Sequence, residues 1–332
     1  MSKRVYLYPM RNLKDLEEKS PYMHNLSKGL VTNFDVVNYG IPTRNGMLDV
    51  FKFFTKADVL YFNWIENITW HQLPLLAALV VISKIAGKKV IWTHHNVHPH
   101  KGDTWAGKLV VRVMKNWSSV IVFHTRESYN ILSLTQEDKR ILDYFHPFFE
   151  NTFNGSALEI KYDVLIWGNV RESKGVREFL DYLQIKKKTE HFNVKLIGKF
   201  SNDQFYYKLK EQYAAYPNIN IENEFVENGK LKTLHKQSRY VLFIYSGSSV
   251  LNSGALIKSI PWGTTVIGPN NAAFKELGER GVILTYNSFD DIIKILEDKE
   301  FNKIDKEAVA EMVRQYSWDD LGKKLSTLLS KS

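Results

Sequence analysis

Short runs rich in Val, Ile, Tyr and Phe alternate with longer amphipathic stretches from one end of the chain to the other. In the first half this pattern predicts strands over residues 5–8, 34–37, 59–62, 89–92 and 119–123, with helices over 23–30, 75–86 and 106–116 between them. In the second half it predicts strands over 162–167, 192–197, 219–221, 240–244, 265–267 and 282–284. Helices over 176–186, 203–213, 230–236, 254–259, 272–277, 289–298 and 305–316 separate them. Alternation at this spacing argues for α/β architecture, with a parallel sheet covered by helices built twice over. A polar stretch with Asn-Gly turn chemistry, "FFENTFNGSALEIK" over 148–161, marks the seam. Ligands of open α/β sheets bind beyond the carboxyl ends of the strands, so a motif just after a strand carries the most chemical weight. Two such domains joined by a hinge place those ends across a cleft.

The length of 332 residues suits two domains of roughly 150–170 residues, each large enough for its own core. The opening "MSKRVYLYPM" reads as a first strand and is too short and too quickly polar for a secretory signal. The longest apolar run, "LPLLAALVVI" over 73–82, falls short of the roughly 18–20 residues that span a bilayer, and reads as a buried helix. Cysteine is absent, which removes disulfides and thiol chemistry and is compatible with the cytosol. The net charge is +9, and residues 1–150 carry 19 Lys and Arg against 13 Asp and Glu. A basic balance favours anionic partners. No dense Lys/Arg tract accompanies it, so nucleic acid is not indicated.

Two glycine-flanked segments follow predicted strands of the second half. Gly168–Gly175, "GNVRESKG", begins with a residue that permits a tight turn and places Arg171 and Lys174 at the strand mouth. Two cations there suit a diphosphate, Arg171 as a fork and Lys174 as a point charge. The Walker spacing is missing, and an ordinary charged surface turn is the other reading. Ser246–Gly254, "SGSSVLNSG", enters a helix and offers amide hydrogens and hydroxyls to phosphate. Asn252 or Ser253 capping its own helix accounts for the same residues.

In the first half, one strand delivers Asn63 and Glu66 to its carboxyl end, and the next delivers His94, His95 and Asn96. "HHNVHPH" places four of the chain's ten histidines in seven residues. The segment contains proline, no HExxH and no cysteine, so a dedicated metal site is not expected. A polar loop carrying Asn96 and His98 beside a cleft fits better, and a structural imidazole is the competing reading for His94 and His95.

Taken together and in this order, "SPYMHNLSKGL", "ADVLYFNWIEN", "GKKVIWTHHNVHPH", "SSVIVFHTRES", "IWGNVRESKGVREFL", "SVLNSGALIKSIPWGTTVIGP" and "YSWDDLGKKLSTLL" resemble bacterial GT-B glycosyltransferases of family 4 and of exopolysaccharide assembly. The resemblance spans nearly the whole chain. It implies two Rossmann-like domains whose parallel sheets face across a cleft. Residues 1–150 would bind the acceptor, 151–316 the nucleotide-sugar donor, and a helix over 317–332 would cross back to the N-terminal domain. Donor contacts would come from Gly168, Arg171, Lys174, Ser253 and Gly254, with Asn252, Ser253 or Glu224 supplying the ribose and sugar contacts that carboxylates of the family usually make, and acceptor contacts from Asn63, Glu66, Asn96 and His98. Arg171 and Lys174 match the pair that stabilises the departing diphosphate, and His95 the histidine near the transferred sugar.

The resemblance departs in one place. Family 4 carries two glutamates just before the Gly-Thr that corresponds to Gly263-Thr264, and those positions here are Val250 and Lys258. Retention against inversion is therefore open. For inversion, His95 or Glu66 is the candidate base. The expected activity is transfer from a UDP- or GDP-sugar to a saccharide or lipid-linked saccharide in surface polysaccharide or glycolipid synthesis. No cofactor, metal or nucleic acid is expected. The expected location is cytoplasmic, with peripheral contact to anionic membrane at its inner face; the oligomeric state stays open. A nucleotide-sugar epimerase or hydrolase, and a non-catalytic sugar-nucleotide-binding module, are the alternatives.

Overall fold

The computed structural model describes residues 2–65, 68–95, 105–150, 158–245, 251, 253–298 and 304–331. The chain divides into two compact units, Met1–Phe149 with Gln315–Ser332, and Glu150–Arg314.

The first unit holds six strands, β1 (Arg4–Tyr8), β2 (Asp35–Val36), β3 (Val59–Asn63), β4 (Lys89–His94), β5 (Val120–Phe123) and β6 (Ile141–Asp143). All are parallel, in the order β2-β1-β3-β4-β5-β6. Every residue of β3 and β5 is buried, the signature of strands covered on both faces. Helices α1 (Leu13–Lys19), α2 (Pro21–Val31), α3 (Val50–Phe53), α4 (Leu73–Ile85), α5 (Trp105–Trp117) and α6 (Glu127–Leu132) connect them. One cluster of buried side chains includes Val5, Leu7, Tyr61 and Val122 with α2; the other includes Leu60, Trp92 and Phe123 with α4 and α5.

The second unit contains β7 (Tyr162–Trp167), β8 (Val194–Gly198), β9 (Ile219–Asn223), β10 (Ser238–Leu242), β11 (Thr265–Pro269) and β12 (Leu284–Tyr286). Its helices are α7 (Val176–Ile185), α8 (Asp203–Gln212), α9 (Asn228–Lys236), α10 (Gly254–Ser259), α11 (Ala272–Glu279), α12 (Phe289–Glu297) and α13 (Lys306–Gln315). The sheet is again parallel, ordered β9-β8-β7-β10-β11-β12. Counted from β7 this is the 3-2-1-4-5-6 order of dinucleotide-binding sheets, whose direction reverses between β7 and β10.

Helix α14 (Trp318–Lys331) returns to the first unit. It crosses α2 at two glycines: a Cβ on Gly29 would lie 2.4 Å from the Trp318 carbonyl oxygen, and one on Gly322 2.5 Å from that of Gly29. The Trp318 indole donates to the Phe148 carbonyl at 2.8 Å, and the Tyr144 hydroxyl to that of Ser317 at 3.0 Å.

Where the structure departs from the periodicity, short or polar segments are responsible. Strand β4 runs on to His94 because Thr93 and His94, polar as they are, are buried and pair with Asn63 and Phe123. The three residues of β6 and the mostly charged α1 give too weak an apolar period to register.

Candidate active site

The loop after β7 is shaped by backbone constraints. Gly168 and Gly175 adopt φ of +110° and +80°, conformations that L side chains resist. A Cβ on Gly198, at the end of β8, would lie 1.8 Å from the Gly168 carbonyl oxygen. The bare Gly198 thus lets the two strand ends close on each other, and the Val170–Phe200 bridge continues the approach. Arg171 is exposed at the start of this loop, whereas Lys174 is half-buried. Burial, and then the charge of Arg171, lower the Lys174 ammonium to about 8. A cation held in a partly dehydrated place beside another cation is poised to gain from a polyanion.

Lys174 Nζ stands 5.3 Å from the ring centroid of Tyr245, three residues beyond β10. The Tyr245 hydroxyl lies 3.0 Å from Ser253 Oγ. Tyr245 therefore ties the loop after β7 to the start of α10 across the point where strand order reverses. Ser253 Oγ accepts from the Leu256 amide at 3.3 Å, so the capping role is present. Gly254 is exposed, and a Cβ there would meet nothing within 4 Å. Glu224 pairs with Lys230 beyond β9. Lys258 is half-buried, hydrogen-bonds Asn228 and lies 5.9 Å from the Trp262 ring, with its pKa lowered by burial.

In the first unit the strand order reverses between β1 and β3, and the candidate residues gather beside that point. Asn63 is fully buried. Its amide nitrogen faces the Tyr8 carbonyl at 3.4 Å, which turns its oxygen to His95 Nε2 at 3.0 Å. That oxygen can only accept, so Nε2 carries the proton and Nδ1 is the basic nitrogen of His95. The imidazole stacks on Trp64 at 4.3 Å and meets the edge of Tyr22 at 4.7 Å. Trp64 has a φ of +51°, an uncommon strain for a bulky residue. Behind this pair, Tyr22 Oη lies 2.8 Å from His124 Nε2, and His124 Nδ1 lies 2.8 Å from the Tyr144 carbonyl oxygen. Burial lowers His124 to about 4 and His146 to about 3, so both are neutral members of the wall.

The structure thus brings Lys174 and Ser253 together through Tyr245, with Gly168 opening the loop that carries Lys174, and Asn63 and His95 together through a hydrogen bond. Glu66, Asn96, His98, Asn252 and Val250 lie outside the described residues. His94 is buried with Nδ1 3.0 Å from Ser128 Oγ, a structural imidazole. Tyr245, Trp64 and Tyr22 are absent from the sequence reading. Tyr245 and Trp64 each immediately follow a strand or its last apolar run, the signal that could have found them. Among the described residues no group of three His, Asp or Glu side chains is arranged to hold a metal ion. No helix there is long and apolar enough to cross a membrane. A surface groove of about 400 Å³ lies between β6 and α14, but none of the candidate site residues lines it.

The two sheets and their switch points define the GT-B class of fold, and comparison with solved structures agrees. The structure of Anabaena Alr3699/HepE in complex with UDP-glucose matches over 100% of both chains, with a TM-score of 0.70 at 14% identity. AviGT4, a glycosyltransferase involved in avilamycin A biosynthesis, matches over 98% of this chain and 96% of its own, with a TM-score of 0.58 at 14% identity. Among curated proteins, GDP-mannose:glycolipid 4-beta-D-mannosyltransferase of Xanthomonas campestris pv. campestris is 22% identical over 253 residues, 71% of this chain and 69% of that protein. No family model matches the sequence.

Proposed function

We propose that this protein is a nucleotide-sugar-dependent glycosyltransferase in which the second unit binds the donor and the first binds the acceptor. One observation carries the reading: a half-buried lysine of lowered pKa and an arginine occupy the loop at the strand-order reversal of a dinucleotide-type sheet. A diphosphate placed there meets both cations, and electrostatic stabilisation of a departing anion is often the largest catalytic term. Gly168 lets the backbone approach; Ser253, Gly254, Glu224 and Asn252 complete the donor contacts. The likenesses to a UDP-glucose complex and to a GDP-mannose enzyme support a UDP- or GDP-sugar.

The acceptor hydroxyl attacks the anomeric carbon of the donor sugar and transfers its proton to His95 Nδ1. The bond from that carbon to the phosphate oxygen breaks, and the nucleoside diphosphate leaves with the electron pair against Arg171 and Lys174. Asn63 holds His95 in the tautomer this step needs. Glu66, Asn96 and His98 are further acceptor contacts. The absence of the glutamate pair and the presence of a buried, oriented base favour inversion. A relative that acts on a glycolipid supports a saccharide or lipid-linked acceptor. On this reading the enzyme serves surface glycan synthesis at the inner face of an anionic membrane.

The test is incubation with UDP-, GDP-, dTDP- and CMP-sugars and a panel of saccharide and lipid-linked acceptors, with products identified by mass and linkage. Acceptor-dependent glycoside formation is expected. Donor epimerised or hydrolysed at full rate without acceptor would replace this reading with the epimerase or hydrolase; donor binding with no turnover would leave a binding module.

A further inference from the structure

Helix α4 is apolar on both faces: Leu73, Leu75, Leu76, Leu79 and Val80 pack on the core of the first unit, and a second apolar stripe faces solvent. Pro74, Ala77, Ala78, Val81, Ile82 and Ile85 recur at helical spacing and are all exposed, Ile85 at 83% and Val81 at 56%. Turned inward are Leu76, Leu79 and Ser83, and the Ser83 hydroxyl finds no hydrogen-bond partner. A surface helix of a self-contained domain turns polar and charged residues outward, so the second, exposed stripe is the anomaly. Helix α5 packs beside it and continues the character, exposing Trp105 and Leu109 together with Lys108 and Arg112. Trp70, just before α4, is 59% exposed.

Charge selects among the occupants of such a face. Between Glu66 and Glu127, Asp103 is the one acidic residue against eight Lys and Arg, and neither α4 nor α5 contains a carboxylate. A second copy docked through the same face would set a surface that carries basic residues and no carboxylate against another of the same kind. With 13 residues α4 extends about 20 Å, far too short to span a bilayer, but enough to lie in its surface. Tryptophan and basic side chains around an aliphatic stripe suit the headgroup layer of an anionic membrane.

We infer that the outer faces of α4 and α5 form the surface by which this protein docks on an anionic lipid bilayer. This deepens the membrane contact named under the proposed function by assigning it to particular side chains, and it depends on no step of sugar transfer.

The full-length chain is sedimented with vesicles of phosphatidylglycerol and phosphatidylcholine, and with phosphatidylcholine alone. Binding to the anionic vesicles is expected, weakening as salt rises. Val81→Ser, Ile82→Ser and Ile85→Ser combined lower the partition coefficient at least about tenfold, and Lys84→Gln with Arg112→Gln lower it about fivefold per charge. These side chains are exposed, so thermal melting and transfer to a water-soluble acceptor are unchanged in both variants. Failure of the wild-type chain to bind anionic vesicles at low salt, or equal binding by the triple variant, overturns the assignment. Self-association abolished by the triple variant, with no lipid binding by the wild type, gives the face to a second copy instead. Vesicle binding through α4 by a chain that transfers no sugar would leave the docking surface standing and remove the transferase reading.

Discussion

Replacing Lys174 by methionine is expected to abolish sugar transfer and, at the same time, to make the protein without donor more stable. Lys174 is half-buried, and its ammonium is lowered from 10.5 to about 8, chiefly by burial. At neutral pH the lysine is charged in both the folded and the unfolded chain, so the folded state bears the whole desolvation cost. The gap between 10.5 and about 8 corresponds to at most about 3 kcal/mol. Methionine removes that cost but forfeits the attraction to the Tyr245 ring 5.3 Å away, about 1 kcal/mol. A net gain of about 2 kcal/mol follows, read as a rise of several degrees in the Tm of the second unit. Between about pH 8 and 10.5 the unfolded chain keeps the proton and the folded chain releases it, so wild-type stability rises relative to Lys174→Met as pH climbs through that window. Donor affinity moves the other way: above about pH 8, binding must first return the proton, and affinity falls by up to about tenfold per pH unit. The assay is calorimetric unfolding of both proteins at pH 7 and pH 10, with titration of UDP and GDP at the same values. A variant less stable than wild type at pH 7, with nucleotide affinity flat from pH 7 to 10, refutes the assignment of Lys174 as a strained cation awaiting an anion.

Asn63→Leu removes the acceptor that fixes His95 and is expected to lower kcat by about 100-fold with little change in donor KM. Asn63→Asp restores much of the rate and moves the acidic limb of the pH profile upward, because a carboxylate raises the basicity of the imidazole; a profile unmoved in either variant would leave Asn63 a merely structural residue. Gly198→Ala forces apart backbone that sits 1.8 Å from the new methyl, and is expected to destabilise the second unit by about 3 kcal/mol and to raise donor KM, measured by urea unfolding and initial rates. Gly322→Ala lifts α14 from α2, where a Cβ lies 2.5 Å from the Gly29 carbonyl oxygen, and lowers urea stability of the first unit by about 2 kcal/mol without changing nucleotide affinity.

Apolar periodicity carries most of this fold, because strands buried on both faces read as unbroken runs such as "VLIW" and "VIVF". The polar ends of strands are less legible: nothing local in Thr93-His94 announces burial, which comes from pairing with β3 and β5. Arg171 and Lys174 were readable as cations after a strand, but the contact of Lys174 with Tyr245, about seventy residues later in the chain and beyond the neighbouring strand, was not. Asn63 and His95 were both readable as strand-end polar groups. Their hydrogen bond, which makes one the orienting partner of the other, is a product of sheet register. The outward stripe of α4 was invisible for the opposite reason. An apolar helix reads as a core helix, and only its exposure shows which face is turned away.

The central claim is that Arg171 and Lys174 hold the donor diphosphate. Calorimetric titration of UDP and GDP into the wild-type protein and into the Arg171→Ala, Lys174→Ala double variant tests it most directly. Loss of two charge-assisted contacts, each about 1.5–3 kcal/mol, predicts affinity lower by at least about 100-fold in the variant, with unfolding still cooperative. Equal affinity in the two proteins would contradict the claim and move the donor site elsewhere.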